Sequence, residues 1–403
     1  MIPTDADRRF AALLALPALA PVLAALPRAR LVGGAVRDTL AGLPVADIDI
    51  TTPDPPEQAL AALEAAGLRV IPTGLAHGTL TALSQGQPFE VTTLRRDEET
   101  DGRHARVAWT DDFQEDAARR DFTINAMSLD QRGALHDYFD GAADLATGRV
   151  RFVGEAARRV AEDHLRILRF FRFFARYGSG APDAEAKAAI ADAIPSLARL
   201  SAERVWSEIK RILAAPAPLE AVRLMHALGV LHAAMPEAGD LGRLAGLLAV
   251  GAPADPLLRL AALLDGDTDA LADRLRLSTA ERATLAGWAG APVPQPGDAD
   301  ADLRRALADT PAETLVGRTW LAQADTPGAP ARWQEVRARL AAMPRPIFPL
   351  EGRHLLAHGA APGPKVGEIL REIRGWWMQG GCVANEAACL AYLARVMPRS
   401  SNK

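Results

Sequence analysis

The stretch Leu31–Thr52, LVGGAVRDTLAGLPVADIDITT, sets the architecture of the first third of the chain and points to its chemistry. A short apolar run ends in Gly33-Gly34, and an amphipathic helix carrying Arg37 and Asp38 follows. Gly42 stops that helix, and a loop through Pro44 leads to Asp47-Ile48-Asp49-Ile50. A strand over Asp47–Thr52 sends alternate side chains to opposite faces, so Asp47 and Asp49 project together while Ile48 and Ile50 enter the core. Two carboxylates aimed the same way repel each other unless a cation lies between them. Oxygen ligands at this spacing suit a hard cation such as Mg²⁺, which takes one or two carboxylates plus substrate phosphates. Gly33-Gly34 lets the backbone approach a ligand closely, and the helix behind it offers free N–H groups and a positive dipole end to an anion. Alone, a Gly-Gly turn is ordinarily just a turn, and an Asp-x-Asp pair a solvated strand end. Together on one strand–helix–strand unit they imply phosphoryl or nucleotidyl transfer.

Working outward, residues 28–140 read as α/β. Strands are expected at Arg30–Val32, Asp47–Thr52, His77–Leu83, Phe89–Leu94, Ala105–Trp109 and Ala134–Tyr138, with a helix over Pro56–Ala66. From about residue 155 the Leu, Ala and Arg recur with helical period to the end. Ser278 and Glu281 stand at capping-box spacing before one such helix. Gly290–Asp302, rich in Pro, Gly and Asp, is the best linker candidate, and Pro344–Pro349 is a second break. The fold class expected is a mixed-sheet α/β head followed by an all-α remainder.

With 403 residues, 49% hydrophobic and 24% charged, the chain has the composition of a soluble protein of several domains. No apolar run reaches membrane-spanning length. The Ala/Leu-rich N-terminus is interrupted by Pro17, Pro21 and Pro27 and lacks the basic start of a signal peptide. Cys382 and Cys389 make neither a disulfide framework nor a zinc site, so a reducing cytoplasm fits. A net charge of −4 excludes a uniformly basic nucleic-acid binder; an RNA partner has to be met by a local patch.

Such a patch lies in EDHLRILRFFRFFARY, read as one helix over Glu162–Tyr177. Arg166, Arg169, Arg172 and Arg176 share one face, and Ile167, Phe170, Phe171 and Phe174 the opposite one. Between Arg149 and Tyr177 eight arginines stand against three acids. Snorkelling side chains on a surface helix explain many such stripes, but arginine is also the residue for bidentate phosphate and base-edge contacts. Asp163 and Arg166, three apart, can present an acceptor and a donor group in one plane. On a strand beside the acid pair, Glu90 either supplies a third metal-binding acid or pairs with Arg95 or Arg96. The charged stretch 96–106 reads as a mobile loop, solvated or closing over substrate. Arg119 and Arg120, adjacent on a short helix, point apart and cannot both reach one ligand. Asp121 and Asn125 organise the turn that follows. His136-Asp137, with no further His and Asp around it, does not make a phosphohydrolase site.

These motifs resemble those of class II CCA-adding enzymes and bacterial poly(A) polymerases: GG-x-V-R-D-x-L-x-G followed by D-x-D, then RRDFTINA, then EDxxRxxRxxR, in order across residues 31–213. The resemblance implies a nucleotidyltransferase head of the polymerase-β type. Its implied divisions are an extension 1–27, a catalytic head 28–141, a helical neck 142–215 that includes the stretch from Leu200, a body 216–290, and a tail 291–403. It implies that Asp47 and Asp49 hold two Mg²⁺, that Gly33, Gly34, Arg37 and Arg120 carry the triphosphate, and that Asp163 and Arg166 read the base edges of CTP or ATP with Arg169 and Arg172 in support. The implied reaction is attack of a tRNA 3′-hydroxyl on the α-phosphate with release of pyrophosphate. Leu350–Gly380 looks like the tail of some members. There Lys365, Arg371 and Arg374 are candidates for RNA phosphate and Trp376 and Trp377 for base stacking, although Gly-Pro before a helix is also ordinary start chemistry. The His77-Gly78-Thr79 strand with the charged stretch after it favours CCA-adding members. The alternatives are a poly(A) polymerase, an enzyme adding only C or only A, and a non-catalytic RNA-binding protein.

Overall fold

The computed structural model describes residues 4–75, 78–100 and 105–396. The chain divides into two compact units, Met1–Pro236 and Glu237–Lys403. The first opens with α1 (Asp5–Leu14), capped reciprocally by Thr4 and Asp7, and α2 (Ala20–Ala25). Phe10, Leu13, Leu19, Val22 and Leu26 from this region share one core with Leu31, Ile50, Leu80, Phe89 and Val91 of the sheet. The prolines limit helix length here without preventing helices.

The head continues β1 (Arg30–Val32), α3 (Gly34–Leu40), β2 (Asp49–Thr52), α4 (Pro56–Ala65), β3 (Arg69–Gly74), β4 (Thr79–Ser84), β5 (Gln87–Thr93), β6 (Arg95–Thr100), β7 (Ala105–Trp109), α5 (Phe113–Ala118), a 3₁₀ turn Thr123–Asn125, β8 (Ser128–Leu129) and β9 (Leu135–His136). Seven strands form a sheet of order β3-β4-β5-β2-β1-β8-β9. The β2–β5 pairing is parallel, with Asp49 opposite Glu90, and the other pairings are antiparallel. The sheet is therefore mixed, as expected.

Several expectations change. β2 begins at Asp49, leaving Asp47 on the loop just before it. β3 was not anticipated because it lies at the sheet edge, holds Pro72 and buries no residue fully, so it has no apolar alternation to read. Part of the stretch expected as a loop at 96–106 instead pairs as a two-stranded ribbon, β6 with β7, held by backbone bonds that need no apolar side chains. His77 lies outside the described residues.

Five helices bear on the site: α6 (Gly141–Thr147), α7 (Ala156–Glu162), α8 (Arg166–Tyr177), α9 (Ala184–Ala193) and α10 (Ala202–Ala214), followed by α11 (Leu219–Ala227) and α12 (Val230–Ala234). The helix expected over Glu162–Tyr177 is broken. The Asp163 carboxylate accepts the Leu165 N–H at 3.0 Å, a local bond that competes with helix propagation and turns the chain between α7 and α8. Helix α8 buries Ile167, Leu168, Phe170, Phe171, Phe173 and Phe174. Phe122, just before the 3₁₀ turn, stacks on Phe152 at 4.7 Å and meets Phe173 edge-on at 5.1 Å, which ties the head to α8. Phe122→Ala is expected to cost about 3–5 kcal/mol of stability. A denaturant midpoint equal to that of the unmodified protein would contradict this packing role.

In the second unit the described residues form ten helices, α13 (Leu241–Ala249) through α22 (Glu386–Val396). Helix α16 (Thr279–Ala289) starts with the expected Ser278–Glu281 capping box. Gly290–Asp302 lies inside this unit, leading from α16 into α17 (Asp300–Asp309), and does not connect the two units. Among the described residues no helix is long and apolar enough to cross a membrane.

Candidate active site

One cleft of about 400 Å³ in the first unit is lined by Gly34, Arg37, Asp47, Asp49 and Arg172, among others. Its volume is that of a nucleotide-sized ligand site. Five of the residues singled out from sequence thus meet in one place. The cleft is also lined by Asp38, Arg176, Tyr177 and Arg211, which the sequence reading did not assign.

Strand β1 and helix α3 meet at Gly33, which has φ +64°, ψ −123° and caps the helix. That conformation is open to glycine and strained for other residues. A Cβ at Gly33 would lie 3.3 Å from Nη1 of Arg120, so the turn and the arginine are in close register. Gly33→Ala is expected to cost about 1–2 kcal/mol and to displace Arg120. Thermal midpoint and nucleotide KM both read the change; wild-type values for both would contradict the role given to the turn.

Asp47 and Asp49 face the cleft, while Ile48 and Ile50 pack into the head core. Burial raises Asp49 above the ordinary carboxylate range, Arg120 opposes the rise, and the nearby Asp47 charge adds to it. Glu90, beside Asp49 in the parallel pairing, is raised by burial and by Asp49. Among the described residues no group of three or more His, Cys, Asp or Glu has the arrangement of a metal site. Asp47 and Asp49 line the cleft, and Glu90 stands beside Asp49 without being one of the lining residues. Two crowded oxygen donors, one partly withdrawn from water, fit a hard divalent cation.

Arg119 and Arg120 correct an expectation. Arg119 donates to Oδ1 of Asp116 at 2.8 Å and Arg120 to its Oδ2 at 3.1 Å, so both reach one carboxylate. The two arginines follow Asp116 by three and four residues, the spacing at which helical side chains share a face, so one carboxylate faces both. Asp116 is buried, which alone would raise its pKa, but the two guanidinium groups hold it below the ordinary range.

Arg37 is buried and held on three sides. It forms a bidentate pair with Asp38 at 3.0 and 3.1 Å and donates to Oδ1 of Asn125 at 2.5 Å. Asn125 in turn donates to Oδ1 of Asp121 at 3.0 Å, and Oδ2 of Asp121 accepts from Arg169 at 2.7 Å. Asp121 and Asn125 therefore organise the turn, as expected. Burial would raise Asp121, but Arg169 and its other donors hold it below the ordinary range. Its contribution to stability is therefore complete at neutral pH and is lost only as acid passes that lowered value. Arg172 lies with Nε 3.0 Å from Oε2 of the buried Glu208. Burial outweighs that partner and brings Arg172 down to about 10.

Asp163 and Arg166 are not among the residues lining the cleft, and the bond between them is the backbone one from the Arg166 N–H to the Asp163 carbonyl at 2.9 Å. Asp163 accepts from Arg204 at 2.9 Å. Arg166 donates to Glu162 at 2.6 Å and to the Arg159 carbonyl at 2.9 Å. His136 pairs with Asp130, and Asp137 accepts the first N–H groups of α6, so that dipeptide is structural.

In the second unit, α21 (Pro364–Gln379) starts at Gly363 as expected. Trp377 is buried and donates to the Ala384 carbonyl, while Trp376 stacks on Tyr392 at 4.5 Å. The Trp377 indole is thus taken up inside the unit, which corrects its candidacy for base stacking, while Trp376 is partly buried with one face on Tyr392. Arg374 pairs with Asp309, and Lys365 and Arg371 are exposed.

Residues 29–151 match the family described as "Poly A polymerase head domain", and residues 181–241 match "Probable RNA and SrmB- binding site of polymerase A". The chain is 36% identical over 381 residues to CCA tRNA nucleotidyltransferase 1, mitochondrial, of Mus musculus, covering 91% of this chain and 86% of the relative. It is 38% identical over 201 residues to the CCA-adding enzyme of Geobacillus thermodenitrificans (strain NG80-2), covering 49% of this chain and 48% of that one. Among solved structures, the Bacillus stearothermophilus CCA-adding enzyme in complex with CTP superimposes with a TM-score of 0.75 at 27% identity, covering 94% and 98% of the two chains. The Thermotoga maritima CCA-adding enzyme complexed with tRNA shares the fold, with a TM-score of 0.67 at 19% identity and coverage of 98% and 99%.

Proposed function

This chain belongs to the CCA tRNA nucleotidyltransferase family, and we propose that it adds C, C and A to the 3′ end of tRNA from CTP and ATP, releasing pyrophosphate. The observation that carries the reading is the shared cleft: the glycine turn, Arg37 and the Asp47/Asp49 pair open onto one nucleotide-sized space closed by α8.

Asp47 and Asp49 would hold Mg²⁺, two ions in this reading, which when bound lower the pKa of the attacking hydroxyl and neutralise charge on the leaving pyrophosphate. The protein's own work is mostly positioning and charge stabilisation, as phosphoryl transfer requires. Gly33 and Gly34 let the backbone approach the phosphates, and Arg120 and Arg37 bring positive charge to them. Arg172 faces the same space from α8. Asp163 and Arg166, at the α7–α8 turn, exchange their present partners for the base edge, with Arg169 holding α8 on the head. We assign the head to residues 28–141, the neck to 142–215, the body to 216–290 and the tail to 291–403, with Lys365 and Arg371 offered to RNA phosphate. A reducing cytoplasm suits the free, buried thiols of Cys382 and Cys389.

Incubation with a tRNA lacking its terminal CCA, Mg²⁺ and single labelled nucleotides tests the proposal. CTP alone should give two additions, and CTP with ATP the complete CCA. Long tails from ATP alone would make the protein a poly(A) polymerase, one nucleotide class alone a partial enzyme, and no incorporation a non-catalytic RNA binder.

A further inference from the structure

We propose that Tyr177 is a positioning residue for the nucleotide triphosphate, its hydroxyl and ring together fixing the Arg37–Asp38 pair in the cleft wall. The proposal rests on the reading of the cleft as a nucleotidyl-transfer site and adds to it a residue at the far end of α8.

The Tyr177 hydroxyl donates to Oδ1 of Asp38 at 2.5 Å. Its ring lies against the Arg37 guanidinium, whose Cζ is 4.5 Å from the ring centroid. One side chain thus grips both members of the pair, by a hydrogen bond to the acid and by cation–π contact with the base. The remaining donors of Arg37 are set by Asp38 and by Asn125. The links then run from Asn125 to Asp121 and from Asp121 to Arg169, which is again on α8. The path leaves α8 at Tyr177 and returns to it at Arg169, so one helix holds the α3 pair from two points.

Simple packing does not account for the hydroxyl. A phenylalanine would fill the same space, yet a phenol reaches a carboxylate that already has two guanidinium contacts. Burial pushes Tyr177 up to about 12, so it stays protonated and donates throughout the working pH range. Asp38 lines the same cleft as Asp47 and Asp49. It is a further acid in a space that has to accept a polyanion. Arg37 and Tyr177 together mask its charge, and that leaves Arg37 rigid at the cleft surface. Without the hydroxyl, Oδ1 of Asp38 loses a donor, repels the triphosphate more strongly and lets Arg37 turn.

The test is calorimetric titration of the full chain with inorganic tripolyphosphate and Mg²⁺, alongside steady-state kinetics with CTP and with ATP. Tyr177→Phe keeps the ring and removes the hydroxyl; Tyr177→Leu removes both. Tyr177→Phe is expected to weaken tripolyphosphate binding and to raise KM for both nucleotides about tenfold, with kcat and preference for CTP over UTP unchanged. Tyr177→Leu is expected to be weaker still. Wild-type tripolyphosphate affinity in Tyr177→Phe overturns the proposal. So does a lowered thermal midpoint with that affinity intact, which would make Tyr177 structural only, or an effect confined to one nucleotide, which would place it on the base side. If tripolyphosphate binding depends on Tyr177 but the unmodified protein transfers no nucleotide, the proposed function fails and the positioning role stands.

Discussion

Asp47→Asn and Asp49→Asn are each expected to lower turnover on the order of 10³-fold, while nucleotide KM moves by less than about threefold. The asymmetry follows from where the charge is needed. Binding of the triphosphate is expected to draw on Gly33, Gly34, Arg37 and Arg120, all of which the substitutions leave in place. Charge developing on the attacking and leaving oxygens would be met at the two carboxylates through the cations they would hold, and an amide keeps the shape but loses the negative charge that binds a hard cation. Asp49 is crowded, raised by desolvation and by the neighbouring Asp47 charge. A divalent cation relieves that crowding, and an asparagine has none to relieve. Single-turnover kinetics separates the two parameters. A large rise in KM with turnover preserved would show that the pair binds nucleotide without taking part in transfer.

Asp163→Ala and Arg166→Ala are expected to have the second large effect: each should lower the preference for CTP and ATP over UTP and GTP on the order of 10²-fold. A polar surface built for one base edge rejects the reversed pattern because its own donors and acceptors would be left unpaired. Both side chains sit at the α7–α8 turn, oriented by partners that survive the substitution of the other. Asp163 is held by Arg204, and Arg166 by Glu162 and the Arg159 carbonyl. Burial would raise Glu162, yet Arg166 and Arg159 keep it ionised, so Glu162 retains a counter-charge when Arg166 is removed. The fold is therefore expected to persist in both variants, and cation binding at Asp47 and Asp49 with it. Competition between labelled CTP and UTP measures the change directly. Undiminished selectivity in either variant would remove that residue from the base site.

The acid pair was legible because strand alternation is a local rule: Ile48 and Ile50 entering the core send Asp47 and Asp49 outward even though β2 starts only at Asp49. Arg119 and Arg120 share Asp116 because they follow it by three and four residues, a spacing that their adjacency alone does not bring out. The break at Asp163 is also local, but it depends on which bond the carboxylate takes, and spacing alone does not say. The partners of the two indoles of α21 were hidden for a different reason. Trp376 and Trp377 meet Tyr392 and Ala384 only when α21 and α22 fold back on each other. The bond between Tyr177 and Asp38 joins residues 139 apart in sequence, so no motif spacing could have announced it. The acid pair follows from its own strand, whereas the contact of Tyr177 with Asp38 exists only once α8 packs beside α3.

The account is tested most directly by a crystal of the protein with CTP and Mn²⁺, in which anomalous scattering locates the cation. It predicts metal density between the carboxylates of Asp47 and Asp49 and the triphosphate oxygens, with the phosphates against the Gly33-Gly34 turn. Carboxylates turned apart, with cation and nucleotide bound elsewhere or not at all, would contradict it.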